Sequence, residues 1–222
     1  MADRGVYIYD TVLVDNSFIY SFYFIMFALI VSLAATIVSN KTNLRLILFI
    51  EILITGISAY MYYLFTNKIK TGQMIDLKSI DILRYNGWAF STPLMMSVLC
   101  LVLSASTKIP LQSSTLVSIL SLDYIMLFFG YIGELNWIDR ISSTVLGFIA
   151  FFTMFYVVFT TFILKYDFFN YTVFFVYFIL WAIYGVAYLL DETTKHVVTN
   201  FLDVTAKGAF AIGISTYYTF VL

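Results

Sequence analysis

The chain has 222 residues, 62% of them hydrophobic and 11% charged, with a net charge of −1 and a mean hydropathy of +0.93. Soluble domains carry about 25% charged residues, so this composition excludes a soluble fold, and the near-neutral charge argues against a nucleic-acid partner. A single cysteine, Cys100, lies inside an apolar run and gives no disulfide framework.

A membrane-spanning helix needs roughly 20 mostly apolar residues, and seven such runs follow one another. They are expected at about Phe18 to Val38, Leu46 to Phe65, Ile82 to Leu103, Thr115 to Ile132, Ile141 to Leu164, Tyr171 to Leu190 and Val197 to Phe220. The first residues include acids, and the first run is followed by further spans rather than a cleavage site, so no signal peptide is expected. The connections are short and polar. The longest is read as Thr66 to Asp81, and no soluble domain fits between spans. The pattern predicts an all-α membrane protein, a single seven-helix bundle over residues 1–222, in contact with lipid.

Orientation is only weakly written in the loops. One set holds Lys41, Arg45, Lys108 and Lys165 with one acid, Asp167. The other set, with the N-terminus, holds most of the remaining acids, including Asp3, Asp10, Asp76, Glu134, Asp139, Asp191 and Glu192, together with several bases. Topology follows Lys and Arg counts, which favour neither side clearly; the excess of acids in the second set leans towards the N-terminus outside and the C-terminus in the cytoplasm.

Five ionisable residues lie in or beside the apolar runs: Glu51, Arg84, Asp123, Asp203 and Lys207. Lys207 is the most costly. An ammonium at mid-bilayer costs about 2.5–3.5 kcal/mol on insertion scales, and Lys207 is too deep to snorkel easily. Asp203 precedes it by one helical turn on the same face and is its natural partner. One reading is a static buried ion pair. The other is an imine-forming lysine, whose protonated Schiff base is stabilised by a nearby carboxylate. The third run carries Arg84, Tyr85, Trp88, Ser91, Thr92 and Pro93, so hydroxyls flank a mid-helix proline that frees a backbone carbonyl. In the sixth, Trp181, Tyr184 and Tyr188 stand at i, i+3 and i+7 and form one aromatic stripe, which packing alone could also explain.

These segments resemble the microbial (type 1) rhodopsins. The resemblance is carried by Asp203-Val-Thr-Ala-Lys207 in the seventh run and by Arg84-Tyr85, Trp88 and Thr92-Pro93 in the third. Trp181 and Tyr184 in the sixth, and Asp123, Met126 and Gly130 in the fourth, complete it. It implies a bundle enclosing a pocket for all-trans retinal, with Lys207 as the covalent Schiff-base anchor and Asp203 as counterion. It further implies that Trp88 and Trp181 sandwich the polyene, and that Tyr85, Met126, Gly130, Phe151, Tyr184 and Tyr188 line the pocket. Arg84 would orient Asp203, and Thr92 would hydrogen-bond Asp123 between the third and fourth helices. The resemblance implies an outward-facing N-terminus and a non-enzymatic protein that handles ions, with a homo-oligomer as one possible assembly.

The chain departs from the outward proton pumps of that family. The residue three after Arg84, a carboxylate proton acceptor in those pumps, is Gly87 here, and the proton-donor position eleven residues further on is Val98. Gly185 stands where many relatives have proline. Glu51, in an apolar second run, resembles the second-helix glutamate of channelrhodopsins, although a protonated, hydrogen-bonded structural glutamate is equally consistent. The small size and short loops resemble compact viral and protist rhodopsins. The expected function is a light-gated ion channel, for cations or protons in preference to anions, with Glu51, Arg84, Asp123, Asp203 and Asn200 along the path or at its gates. A sensory photoreceptor acting through a separate transducer and an inward proton pump are the alternatives. No metal site is expected.

Overall fold

Each apolar run folds as a helix, because in hydrocarbon only a helix or a closed barrel satisfies every backbone donor and acceptor internally. The computed structural model describes residues 11–39, 45–70, 77–163, 167–217 and 219. The helices are α1 (Thr11–Val38), α2 (Arg45–Lys70), α3 (Leu77–Thr107), α4 (Ser113–Glu134), α5 (Arg140–Phe162), α6 (Phe168–Ala187) and α7 (Glu192–Asp203). α7 continues through a π-helical segment, Val204–Ala209, into α8 (Phe210–Thr216). The last three form one span, Glu192–Thr216, so seven spans are long and apolar enough to cross a membrane. The expected limits Leu164 and Phe220, and the loop or terminal residues Asp3, Asp10, Lys41, Asp76 and Lys165, lie outside the described residues.

Three helices begin five or more residues earlier than hydropathy alone suggests, and α1 is one of them, starting at Thr11 rather than Phe18. α3 starts at Leu77 rather than Ile82, and the last span starts at Glu192 rather than Val197. Asp81 therefore belongs to a helix and not to a loop, and it is buried. The caps account for several starts. Asp139, Asp167 and Asp191 each accept hydrogen bonds from backbone N–H groups of the following turn, satisfying donors that a helix start leaves open. Hydrogen bonds from the Ser142 and Thr194 side chains and amides hold the exposed Asp139 and Asp191 carboxyls below the usual carboxylate range.

The end of the bundle that carries the start of α1 and the α2–α3, α4–α5 and α6–α7 connections is called the N-side, and the opposite end the C-side. Two apolar clusters divide the interior. On the N-side, Phe18 of α1 packs with Tyr62 and Phe65 of α2 and Ile80 of α3. On the C-side, Leu48, Met96, Leu99, Leu103, Phe155, Val158 and Trp181 form the larger cluster. The functional polar groups lie between them. Outside, α1 presents Tyr20, Tyr23, Phe27, Ile30 and Ile37. That apolar exterior is what a lipid-facing helix requires.

Candidate functional site

The π-helical segment carries Lys207. A π turn has a wider register than the α-helix around it, and such turns are frequent at functional sites. Lys207 is 4% exposed and its ammonium donates to Asp203 Oδ1. The same oxygen accepts from the Tyr184 hydroxyl at 2.8 Å. Asp203 Oδ2 accepts from Arg84 at 2.8 Å. The Tyr62 hydroxyl lies 2.9 Å from both Asp203 Oδ2 and Asn200 Oδ1. Arg84 also donates to Asn200 Oδ1 at 2.8 Å, and Asn200 Nδ2 donates to Ser17 Oγ at 2.8 Å. One buried carboxylate thus ties α2, α3, α6 and α7 together, and Asn200 extends the network to α1. Charge-assisted bonds of this kind are roughly twice as strong as neutral ones, and burial keeps solvent from screening them.

Beyond Lys207 opens a cavity. Trp88, Trp181, Tyr85, Thr92, Met126, Gly130, Phe151, Tyr184 and Tyr188 all line it, together with Lys207. The sequence reading had named each of these. Phe148, Thr144, Gly147 and Gly185 also line it and had not been named as pocket residues. Close approach explains two glycines. A Cβ at Gly130 would lie 2.3 Å from the Tyr85 hydroxyl, and one at Gly185 would lie 2.6 Å from the Phe148 ring. Trp88 meets Tyr184 edge to face, with ring centroids 5.5 Å apart, and the Lys207 nitrogen lies 5.5 Å from the Trp88 ring. The result is an aromatic-walled slot with a single buried primary amine opening into it.

α3 shows how this slot is positioned. Pro93 interrupts the helical hydrogen bonding. Thr92 Oγ1 donates to the Trp88 carbonyl at 2.9 Å and lies 2.8 Å from Asp123 Oδ2 on α4. The Thr92–Asp123 contact is the one the resemblance implied. Asp123 Oδ1 is buried without a hydrogen-bond partner.

A second, smaller cavity lies on the other side of Lys207, lined by Ser58, Met61, Tyr62, Arg84, Gly87 and Ser91 among others. Here the missing acceptor has a structural counterpart. A Cβ at Gly87 would sit 2.7 Å from Met61 Cγ, so a methionine from α2 occupies the space beside residue 87. Val98 is fully buried in the C-side apolar cluster. Glu51 is also buried, eleven residues before Tyr62 on α2. At 1.5 Å per residue it stands about 16 Å from the Arg84–Asp203 network, so the structure does not bring Glu51 to that network.

Sequence reasoning missed Tyr62 and Met61, since neither is unusual in an apolar helix. It also missed a second buried ionic group on the N-side. Lys195 Nζ lies 2.6 Å from Asp81, 3.1 Å from Glu134 and 2.8 Å from Glu192, and His196 is beside Asp81. The available signal was helical spacing: Asp81 stands one turn before Arg84, and Lys195 two turns before Asp203.

Comparison with known proteins fits this geometry. The profile of the bacteriorhodopsin-like protein family matches residues 13–220. No curated protein sequence matches the chain. Among solved structures, the viral rhodopsin OLPVRII is 29% identical, with a TM-score of 0.87 over 95% of this chain and 99% of that one. Xanthorhodopsin, a light-driven ion pump with dual chromophore, is 19% identical, with a TM-score of 0.76 over 94% and 93%. Bromide-bound halorhodopsin from Halobacterium salinarum is 17% identical, with a TM-score of 0.77 over 93% of each chain. The last two are similar in fold alone. The chain belongs to the bacteriorhodopsin-like family of microbial rhodopsins, seven-helix membrane proteins activated by light through retinal bound covalently as a Schiff base.

Proposed function

We propose that this rhodopsin is a light-gated ion channel, passing cations or protons in preference to anions, with Lys207 as the retinal anchor and Asp203 as the counterion. Retinal supplies light absorption and a change of shape at its point of attachment. The chain's own residues hold the charge of the anchor nitrogen, exclude water from it and close the path around it. Asp203 stabilises that nitrogen's positive charge, and Tyr184, Tyr62 and Arg84 fix the carboxylate in place. Trp88 and Trp181 provide the walls of the slot.

The observation that carries the reading is the packing at Gly87. An outward pump needs a proton acceptor beside the anchor on one side and a donor on the other. Met61 fills the space beside Gly87, and Val98 is buried among hydrocarbon. Asp203, the carboxylate in contact with Lys207, is already held by Arg84. What these residues suit is a plug: Arg84, Asn200, Asp203 and Tyr62 join α2, α3 and α7 across the interior, and a shift of α7 at Lys207 pulls on it directly. Carboxylates along a narrow path favour cations over anions, and Asp203 and Glu51 are such groups. The N-side is assigned to the outside of the cell, where the loop acids lie.

Whole-cell recording under illumination tests this. The expected result is a photocurrent that reverses sign at the equilibrium potential of a permeant cation or of protons. A current that keeps one sign over a wide voltage range indicates a pump, inward if the medium turns alkaline. A photocycle without any current indicates a sensory receptor. Either outcome overturns the channel.

A further inference from the structure

The N-side ionic group has an unusual composition for a structural ion-pair network. Three carboxylates, from Asp81, Glu134 and Glu192, are ion-paired with two cations, Lys195 and Arg140, and Arg84 adds its positive charge from one turn beyond Asp81. His196 completes the group. It is the chain's one histidine and is 0% exposed. Neither ring nitrogen completes a hydrogen bond of good geometry, although the Leu77 backbone approaches the ring closely enough to act on it. His196 Nε2 is aimed at Asp81 Oδ1, but 3.6 Å away, beyond hydrogen-bond reach.

That separation suits a different interaction. Zinc binds imidazole nitrogen and carboxylate oxygen at about 2.0–2.2 Å, so two ligands of a tetrahedral ion stand about 3.3–3.6 Å apart. Glu192 supplies a third atom: one ligand atom each from Asp81, Glu192 and His196 lies within 4.8 Å of the others. Asp81 uses its other oxygen, Oδ2, for Lys195. Its Oδ1 is therefore free to take an ion without breaking that bond. Glu192, with a side chain 33% exposed, gives the ion a way in from the aqueous phase.

We propose that Asp81, Glu192 and His196 form a binding site for a divalent transition-metal ion, with zinc as the best fit to one imidazole and two carboxylates. Lys195 is the built-in competitor. Its ammonium is a tethered cation bonded to Glu192 Oε2 at 2.8 Å, while Arg140 holds Oε1 at 2.7 Å, so one of the two must yield the oxygen that the ion takes. The site joins the first turns of α3 and α7. Arg84 follows Asp81 by one turn, and Asp203 follows His196 by two, so a bound ion staples together the two helices that carry the plug.

Binding is measured on purified, untagged, retinal-loaded protein by equilibrium dialysis against zinc chloride. X-ray absorption at the zinc edge then identifies the ligands. The expected result is one zinc per chain with the scattering signature of a single imidazole, which in this chain can come only from His196. His196→Gln and Glu192→Gln should each weaken binding at least tenfold. Lys195→Met should strengthen it at least tenfold. The visible band of each variant reports whether it has folded, and the wild-type spectrum stands even if a variant does not. No saturable uptake, or zinc bound without imidazole scattering, overturns the proposal. Zinc slowing the photocurrent is a separate consequence that rests on the channel reading. Failure of that arm alone leaves the metal site standing, because dialysis and the zinc edge read it directly.

Discussion

Asp203 serves four donors at once: Lys207 and Tyr184 on one oxygen, Arg84 and Tyr62 on the other. A carboxylate so placed concentrates negative charge beside the Lys207 nitrogen and, with Lys207 as the proposed retinal anchor, stabilises the positive charge there in the ground state. Light absorption moves that positive charge away from the nitrogen, so removing the carboxylate's charge lowers the excitation energy. Acidification that protonates Asp203 should therefore shift the visible band to the red, and raising the pH again should reverse the shift. Asp203→Asn should show the red-shifted band already at neutral pH. An absorption spectrum unchanged by that substitution would exclude Asp203 as counterion. At this scale the charged residues were legible in the sequence, because a charge in an apolar run has few physical excuses. Tyr62 was not, since its one polar atom is carried on a ring that packs like any hydrophobe, and the chain has 18 tyrosines among which nothing singles it out.

Within and between helices, the Thr92–Asp123 contact links α3 to α4 just where Pro93 weakens α3. Asp123 already leaves Oδ1 unpartnered, so loss of the Thr92 hydroxyl deprives both oxygens of a partner. A buried acceptor left unsatisfied costs about 1–3 kcal/mol, whereas replacing both partners by apolar groups can be nearly neutral. Thr92→Val should accordingly lower the temperature at which the visible band bleaches, and adding Asp123→Leu should recover part of the loss. A double variant that bleaches at least as early as the single would show that the bond is not the source of the effect. The helices themselves were readable from hydropathy, but the starts of α1, α3 and the last span were not. Asp81 and Lys195 look like loop residues in a local window. They are buried because each meets its opposite charge across the bundle, at 2.6 Å and 114 positions apart in sequence, and no local reading contains that distance.

Across the whole molecule, three of the interior polar groups follow one another along the bundle axis. The Asp81–Lys195 group lies on the N-side, the Arg84–Asp203 plug near the middle, and Glu51 towards the C-side. Apolar packing around Leu48, Leu99 and Leu103 surrounds the last of these groups. A conduction path along this axis has to pass Glu51 after the plug. Seven residues separate Glu51 from Ser58, which lines the small cavity beside Lys207, or about 10 Å of helix. That distance separates colour from conduction. Glu51→Gln should leave the absorption maximum within a few nanometres of the parent, because Asp203, the proposed counterion, is untouched. It should also reduce the cation or proton photocurrent and move its reversal potential towards that of anions, because a fixed negative charge, or a group able to carry a proton, has been removed from the narrow C-side half of the path. Photocurrents of equal size and equal reversal potential in parent and variant, measured over several pH values and bath ions, would place Glu51 off the path and leave it as a buried structural acid.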